Sequence, residues 1–162
     1  MIYMVWAQDK DRGIGINNRL PWNIAAEMQH FRHITNGKNV LMGFNTYASI
    51  GKILKNRKNF VLVTNKTTVI KGATMVYDYK KIVSQYGDKE GEDMYIIGGK
   101  SVYELFAPYA DFLIVSVIPG EFNCNVRIDV DMSKFEEMKY EKYHDFEVHY
   151  FVRKIVSDYD NQ

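Results

Sequence analysis

Leu20-Pro21-Trp22-Asn23-Ile24-Ala25-Ala26-Glu27-Met28-Gln29-His30-Phe31-Arg32 is the stretch around which the chain is organised. Asn23 after Pro-Trp fits an N-cap and Gly37 fits a C′ stop, so the spacing predicts a helix over residues 24–35. At about 100° per residue, Ile24, Met28, Phe31, Ile34 and Thr35 share one arc, and Glu27 falls inside it. A carboxylate among apolar neighbours is costly unless something bonds it. Such a residue either snorkels out to water as a boundary glutamate, or forms the floor of a pocket that takes a ligand's hydrogen-bond donors. His30 and His33 follow Glu27 at spacings of three and invite a metal-site reading. The helical wheel instead sets His33 nearly opposite Phe31 and assigns both histidines to a solvated flank, so no metal site is expected.

Upstream, Ile2-Tyr3-Met4-Val5-Trp6-Ala7 is continuously apolar, as a strand buried on both faces should be. Residues 9–18, with Gly13 and Gly15, read as a polar loop leading into the helix. Downstream, strands are expected at 39–42, 59–63, 73–77, 94–97 and 112–118, and helices at 44–50, 79–86 and 101–109. Residues 135–143 and 146–154 read as an antiparallel hairpin, with 155–162 as a tail. The alternation implies a single α/β domain over residues 1–154. Its sheet is a mostly parallel twisted β-sheet with flanking helices and a C-terminal antiparallel hairpin.

Length and charge narrow the function. A chain of 162 residues with a net charge of +1 suits one sizeable core and gives no global pull toward nucleic acid or an anionic membrane. Cys124 is the single cysteine, which fits a reducing compartment. Residues 2–7 are too short for a signal-peptide core and no stretch approaches a membrane span, so a soluble cytoplasmic domain is expected.

In sheets of this kind ligands bind at the carboxyl ends of the strands. Met42-Gly43-Phe44-Asn45-Thr46 and Ile97-Gly98-Gly99-Lys100-Ser101 are both strand–glycine–helix turns, and each can offer backbone N–H groups to a phosphate. Neither is a Walker A loop, and G-x-G-x-x-G is absent. Together with the carboxylate helix they suggest a long ligand with phosphates at one end. Arg57, before the strand at 59–63, is either an ordinary exposed arginine or a fork for a carboxylate. G-x-S-x-G is absent, and Asp129 and Asp131 lack the glycine and glutamate of a calcium loop.

Taken as a set, these residues resemble dihydrofolate reductase along about the full length of the chain. Gly13-Ile14-Gly15 followed by Leu20-Pro21-Trp22 is similar to the family's mobile active-site loop. Glu27 and Phe31 stand where the family places its only ionisable pocket side chain and an aromatic against the substrate. Gly43 with Thr46, Ser49-Ile50-Gly51, Leu54 and Arg57 follow in order, and Ile97-Gly98-Gly99 with Val102-Tyr103 matches the cofactor turn, where the family has a cis bond between the glycines.

The resemblance implies that NADPH reduces 7,8-dihydrofolate to 5,6,7,8-tetrahydrofolate. It makes Glu27, Leu20, Trp22 and Ser116 the catalytic set. Glu27 would accept from the pterin N3–H and 2-amino group, supported by Ser116, and a water admitted near Leu20 would protonate N5. Val5, Trp6, Met28, Phe31, Ile50 and Leu54 would form the apolar walls, and Arg57 would grip the α-carboxylate of the glutamate tail. Ala7, Ile14 and Gly15 would lie on the nicotinamide side of the cofactor site. Gly43, Asn45, Thr46 and Thr64 would flank its phosphates with Ile97, Gly98, Gly99, Lys100, Ser101, Val102 and Tyr103. Antifolate inhibitors become expected ligands, and a monomer the expected state.

Several positions depart from the family pattern. Phe44 replaces a basic residue that many relatives direct at the cofactor's 2′-phosphate, which leaves Thr64 and Lys66 for that task and implies a reduced preference over NADH. Ser116 stands for the usual threonine and Ala25 for a frequent proline. Asn125 stands for an aspartate that caps the mobile loop, which implies altered loop closure. A reductase of another heterocycle, of the riboflavin-pathway type, and a non-catalytic nucleotide- or nucleic-acid-binding domain are the alternatives. The first would need a phosphate-binding substrate pocket, the second a strongly basic face.

Overall fold

The computed structural model describes residues 1–15, 21–88, 90–120 and 122–155. Among these, β1 (Ile2–Gln8) sends Ile2, Met4 and Trp6 to one side of a sheet and Val5 to the other, all of them buried. That two-sided burial is why its sequence is a continuous apolar run rather than an alternation. β1 pairs in parallel with β6 (Met94–Ile96) and β7 (Phe112–Val117). Beyond β6 come β3 (Asn39–Gly43), β4 (Lys58–Leu62) and β5 (Ala73–Val76), all parallel. Beyond β7, the hairpin of β9 (Phe135–Lys142) and β10 (Glu147–Arg153) joins through an antiparallel β7–β10 pair, giving the order β5-β4-β3-β6-β1-β7-β10-β9. The edge strand β9 is almost wholly exposed, rich in Glu and Lys, and faces a register shift between Tyr150 and Phe151. Charge and irregularity of this kind discourage pairing with another sheet edge.

Helices cover both faces. α3 (Tyr79–Tyr86) and α4 (Lys100–Phe106) pack Ile82, Tyr86, Val102 and Phe106 against Leu41, Ile96 and Leu113. α1 (Ala25–Thr35) lays Ile24, Phe31 and Ile34 against the opposite face with Val5, Met42 and Ile114, and α2 (Phe44–Ile50) adds Tyr47 there. Each fully buried aliphatic or aromatic side chain in these layers contributes about 1.5–3 kcal/mol. Since β6 lies between β3 and β1 while β7 lies on the far side of β1, the carboxyl ends of these strands open a crevice.

The structure corrects several element boundaries. The N-cap of α1 is Ile24, not Asn23: the Ile24 carbonyl accepts from the N–H of Glu27 and of Met28, both at 3.1 Å, and no side chain caps the end. Gly37 lies just past the helix with φ 74, the left-handed conformation expected of a C′ glycine. The helix expected at 101–109 is α4 followed by a 3₁₀ turn, Ala107–Tyr109, where Pro108 has no N–H to continue the ladder. Inside the expected loop 9–18, β2 (Gly13–Gly15) pairs with β8 (Val126–Arg127) as a separate two-stranded sheet. Residues 156–162 of the expected tail lie outside the described residues.

Candidate active site

The crevice is a cleft of about 1640 Å³ that runs along the carboxyl ends of β1, β3, β4, β6 and β7. Glu27 is at its floor. The side chain stands on the inner face of α1, 7% exposed, and among the described residues no donor bonds its carboxylate. Burial pushes its acid group above the usual glutamate range, as desolvation of an uncompensated carboxylate must. Ser116, 3% exposed, approaches the cleft from β7, paired in the sheet with Ala7 on β1 and Val148 on β10. Tyr103 closes the space behind: its buried hydroxyl donates to the Val5 carbonyl at 2.7 Å. Burial and the Glu27 charge push that phenol up, so it stays a donor.

The walls on this side are Val5, Trp6, Met28, Phe31, Ile50 and Leu54. Met28 is 43% exposed although it lies on the apolar arc, because it faces the open cleft and not the core. Arg57 is at the outer end. Its Nη1 donates to Thr35 Oγ1 at 3.0 Å and its Nε to the Lys55 carbonyl at 2.9 Å, which aims the guanidinium into the cleft mouth. Burial and the neighbouring charge of Arg32 pull its pKa down from the usual arginine value, the signature of a cation without a counter-charge.

The other half of the cleft is made of backbone. Gly98 and Gly99 are joined by a cis peptide bond, and the Gly98 carbonyl accepts from Gly43 N–H at 2.9 Å, which ties the β6–α4 turn to the β3–α2 turn. A Cβ on Gly43 would meet Val102 Cγ2 at 2.9 Å, and one on Gly99 would meet Thr46 Oγ1 at 3.3 Å. The two turns therefore form a side-chain-free cradle, flanked by Asn45, Thr46, Lys100 and Ser101, with Thr64 further along. Ala7, Ile14, Gly15 and Ile97 line the passage between cradle and floor.

Of the residues expected from sequence, the cleft thus brings together all but three, and Lys66, expected with Thr64 at the 2′-phosphate, is absent from its lining. Leu20 lies outside the described residues. Trp22 is buried but is absent from the lining, with its ring edge-on to Phe122 at 5.4 Å. Its Nε1 is buried without a partner among the described residues. Phe44 and Ser49 also face the cleft. His30 corrects the sequence reading: it is not on a solvated flank but half-buried, lining the cleft beside Tyr143 and Phe146 at 5.8 and 6.2 Å between ring centroids. The helical wheel could not show this, because the rings that cover His30 come from the distant β9–β10 turn.

A side-chain-free glycine cradle that opens directly onto a buried acceptor and apolar walls is the kind of cleft an α/β enzyme offers to a long ligand with phosphates at one end. The chain belongs to the dihydrofolate reductase family, whose model matches residues 1–156. It is 35% identical to the dihydrofolate reductase of Ureaplasma parvum over 156 residues, covering 95% of this chain and 98% of that one. It also matches segregation and condensation protein A of Mycoplasma pneumoniae at 34% identity over 95% of this chain, but spans only 30% of that protein's length. In fold it is similar to a dihydrofolate reductase from Enterococcus faecalis complexed with NADP(H) and RAB-propyl, at TM-score 0.87 and 24% identity, covering 96% of this chain and 97% of that one.

Proposed function

We propose that this protein catalyses the NADPH-dependent reduction of 7,8-dihydrofolate to 5,6,7,8-tetrahydrofolate. The observation that carries the assignment is Glu27: a largely buried carboxylate to which no described residue donates, in a cleft that continues into a phosphate-ready cradle. Family membership supports the same reading. The cradle fits the cofactor because its walls at Gly43, Gly98 and Gly99 lack side chains. When bound there, NADPH supplies the hydride that reduces the pterin at C6. Glu27 accepts hydrogen bonds from the pterin N3–H and 2-amino group and so fixes the ring's orientation. Ser116 steadies the carboxylate from β7. Phe31, Ile50 and Leu54 exclude water from the ring and its aryl extension, and Arg57 takes the α-carboxylate of the glutamate tail. A water entering near Leu20 delivers the proton to N5, while the Glu27 charge favours that protonation. Antifolates that carry the same donor edge compete for Glu27. The protein acts as a monomer.

The test is oxidation of NADPH by the purified chain with and without dihydrofolate. Oxidation that requires dihydrofolate and yields tetrahydrofolate is expected. Oxidation indifferent to dihydrofolate, or none, removes the assignment.

A further inference from the structure

Among the described residues, Met28, Phe44 and Ile50 are the large apolar side chains that are both exposed and in the cleft. Met28 and Ile50 belong to the wall on the Glu27 side. Phe44 does not. It follows Gly43 of the cradle directly and opens α2, 46% exposed, with the Tyr47 ring beside it at 6.3 Å between centroids and a tilt of 44°. A lone exposed aromatic is ordinary on a protein surface, but one that lines a ligand cleft offers its flat face to whatever the cleft takes.

The order of the strands fixes which part of a long ligand reaches Phe44. Ser116 marks the floor on β7, the Gly98–Gly99 turn follows β6, and Gly43 ends β3. The next strand outward is β4, which pairs with β3 as far as Gly43 opposite Leu62. Phe44 therefore stands beside the loop that leaves β4, and Thr64, Asn65 and Thr68 of that loop line the cleft. The loop is held in a turn: Asn65 Oδ1 accepts from the Thr67 N–H at 2.9 Å and the Thr67 hydroxyl at 2.7 Å, and the Asn65 carbonyl accepts from the Thr68 N–H at 3.1 Å. These three lining side chains are neutral, and Lys66 is not in the lining. The cations of the cleft stand elsewhere. Arg57 is at the outer end of the substrate side, close enough to Arg32 to feel its charge. Lys52 and Lys55 lie past the far end of α2, about 10 Å along its axis, and Lys100 on α4 pairs with Glu104 at 3.7 Å. A dinucleotide with its pyrophosphate on the glycine cradle and its nicotinamide toward Glu27 carries its adenosine to this uncharged end.

We propose that Phe44 is the residue on which the cofactor's adenine stacks, so that this end of the cleft recognises the base by its flat face and not the 2′-phosphate by an ion pair. The inference deepens the reductase assignment, on which the identity of the bound dinucleotide rests. Stacking on an aromatic side chain is indifferent to the edge groups of the base and draws its strength from the water that leaves both faces. Thr64, Asn65 and Thr68 have donors for a ribose hydroxyl or a phosphate oxygen alike, but none supplies the opposite charge that makes a phosphate contact strong. NADPH and NADH should therefore bind with affinities within about tenfold of each other, less than a charged hydrogen bond would separate them.

The test is calorimetric binding of NADPH, NADH and ADP-ribose to the full chain without dihydrofolate, for wild type, Phe44→Leu and Phe44→Trp. Leu keeps an apolar side chain and removes the flat face, so it is expected to weaken all three ligands by about tenfold, while Trp binds them at least as tightly as Phe. Leu affinities within about twofold of wild type overturn the proposal, as does a wild-type gap between NADPH and NADH wider than about tenfold. Reduced nicotinamide mononucleotide, which lacks the adenosine, separates stacking from damage to the cradle. The loss of kcat/KM in Phe44→Leu should be at least about fivefold smaller with it than with NADPH, and equal losses overturn the proposal. ADP-ribose binding needs no turnover, so the two readings fail separately. A chain that does not reduce dihydrofolate but loses ADP-ribose affinity on Phe44→Leu keeps the stacking site and loses the reductase assignment, and the converse result removes the stacking alone.

Discussion

Asp9 is 1% exposed and Glu27 7%, yet among the described residues the first is surrounded by donors and the second has none. Asp9 accepts from the backbone N–H of Gly13 at 2.7 Å, Asp11 at 2.9 Å and Phe122 at 3.3 Å. Burial alone would raise its pKa, but these bonds and one from the Cys124 thiol outweigh it, and the carboxyl ends below its usual range. Glu27 has the burial without the bonds and ends above its usual range. The same chemical group is thus used once to complete a loop and once to leave a site incomplete. A buried acid with its donors in place is structure; one without them is an unfilled place for a ligand.

The contrast breaks if exchanging the donor-free acid leaves the chemistry intact. Glu27→Gln keeps size and shape but presents an amide whose N–H₂ end conflicts with the pterin's donors. Dihydrofolate turnover at neutral pH should fall by roughly 10²- to 10⁴-fold, the range of a lost acid–base group. NADPH affinity, measured by fluorescence titration, should stay within about twofold, because the cradle that takes the cofactor is built of glycine backbone around Gly43 and Gly99. Wild-type turnover in this variant would return Glu27 to the bland role of a boundary residue.

Asp9 should behave in the opposite manner. Asp9→Ala strands the N–H groups of Gly13, Asp11 and Phe122, and hydrogen bonds to a charged acceptor are worth about 1.5–3 kcal/mol. A stability loss of about 3 kcal/mol in urea unfolding is expected, with about half of that in Asp9→Asn. Turnover of the folded fraction should suffer far less than in Glu27→Gln. A larger activity loss than stability loss would mean that Asp9 serves the reaction.

Sequence exposed these two acids unequally. Glu27 was legible because a helix has a period, and a charge inside the apolar arc stands out against it. The parallel core was legible for a similar reason: strands buried on both faces, such as β1 and β3, are written as unbroken apolar runs. The glycine turns at Gly43 and Gly98–Gly99 were visible as breaks between strand and helix. Asp9 looked like any loop aspartate, since its donors come partly from Phe122, far along the chain. β2 and β8 were missed together, because Gly13–Gly15 and Val126–Arg127 are too short to show a period. His30 was misplaced because burial of a helix flank is decided by what packs on it, and Tyr143 and Phe146 arrive from another element.

The loop that Asp9 completes is tight enough for a methyl group to test. A Cβ on Gly13 would lie 2.5 Å from Cys124 Cβ, 2.6 Å from its Sγ and 2.9 Å from Asp9 Oδ2. Gly13→Ala should therefore cost about 1–3 kcal/mol by overpacking. Cys124→Gly in the same chain should recover most of that loss, since it removes both sulfur and Cβ from the contact. Additive losses in the double variant would show that the backbone of Gly13, not its missing side chain, is what matters there.

The smallest expected effect follows from the signs of the two pKa shifts. Asp9, lowered in the fold, contributes stability above its unfolded value near 3.8 and loses it as pH falls through the folded value. Glu27, raised in the fold, contributes in full below its unfolded value near 4.5 and loses that contribution as pH rises through the folded value. At neutral pH and without ligand, Glu27→Gln should accordingly be more thermostable than wild type, and the Tm gap should close as pH falls toward 5. The difference between the two proteins is the quantity to follow, because His30, lowered by burial, loses stability over part of the same range and would mask the trend in either curve alone. Asp9→Asn against wild type should show the reverse, an advantage for the natural residue that persists down to about pH 4 and then vanishes. If both differences ran in the same direction, desolvation without donors would not be what separates Glu27 from Asp9, and the reading of Glu27 as a site held open for a ligand would lose its thermodynamic support.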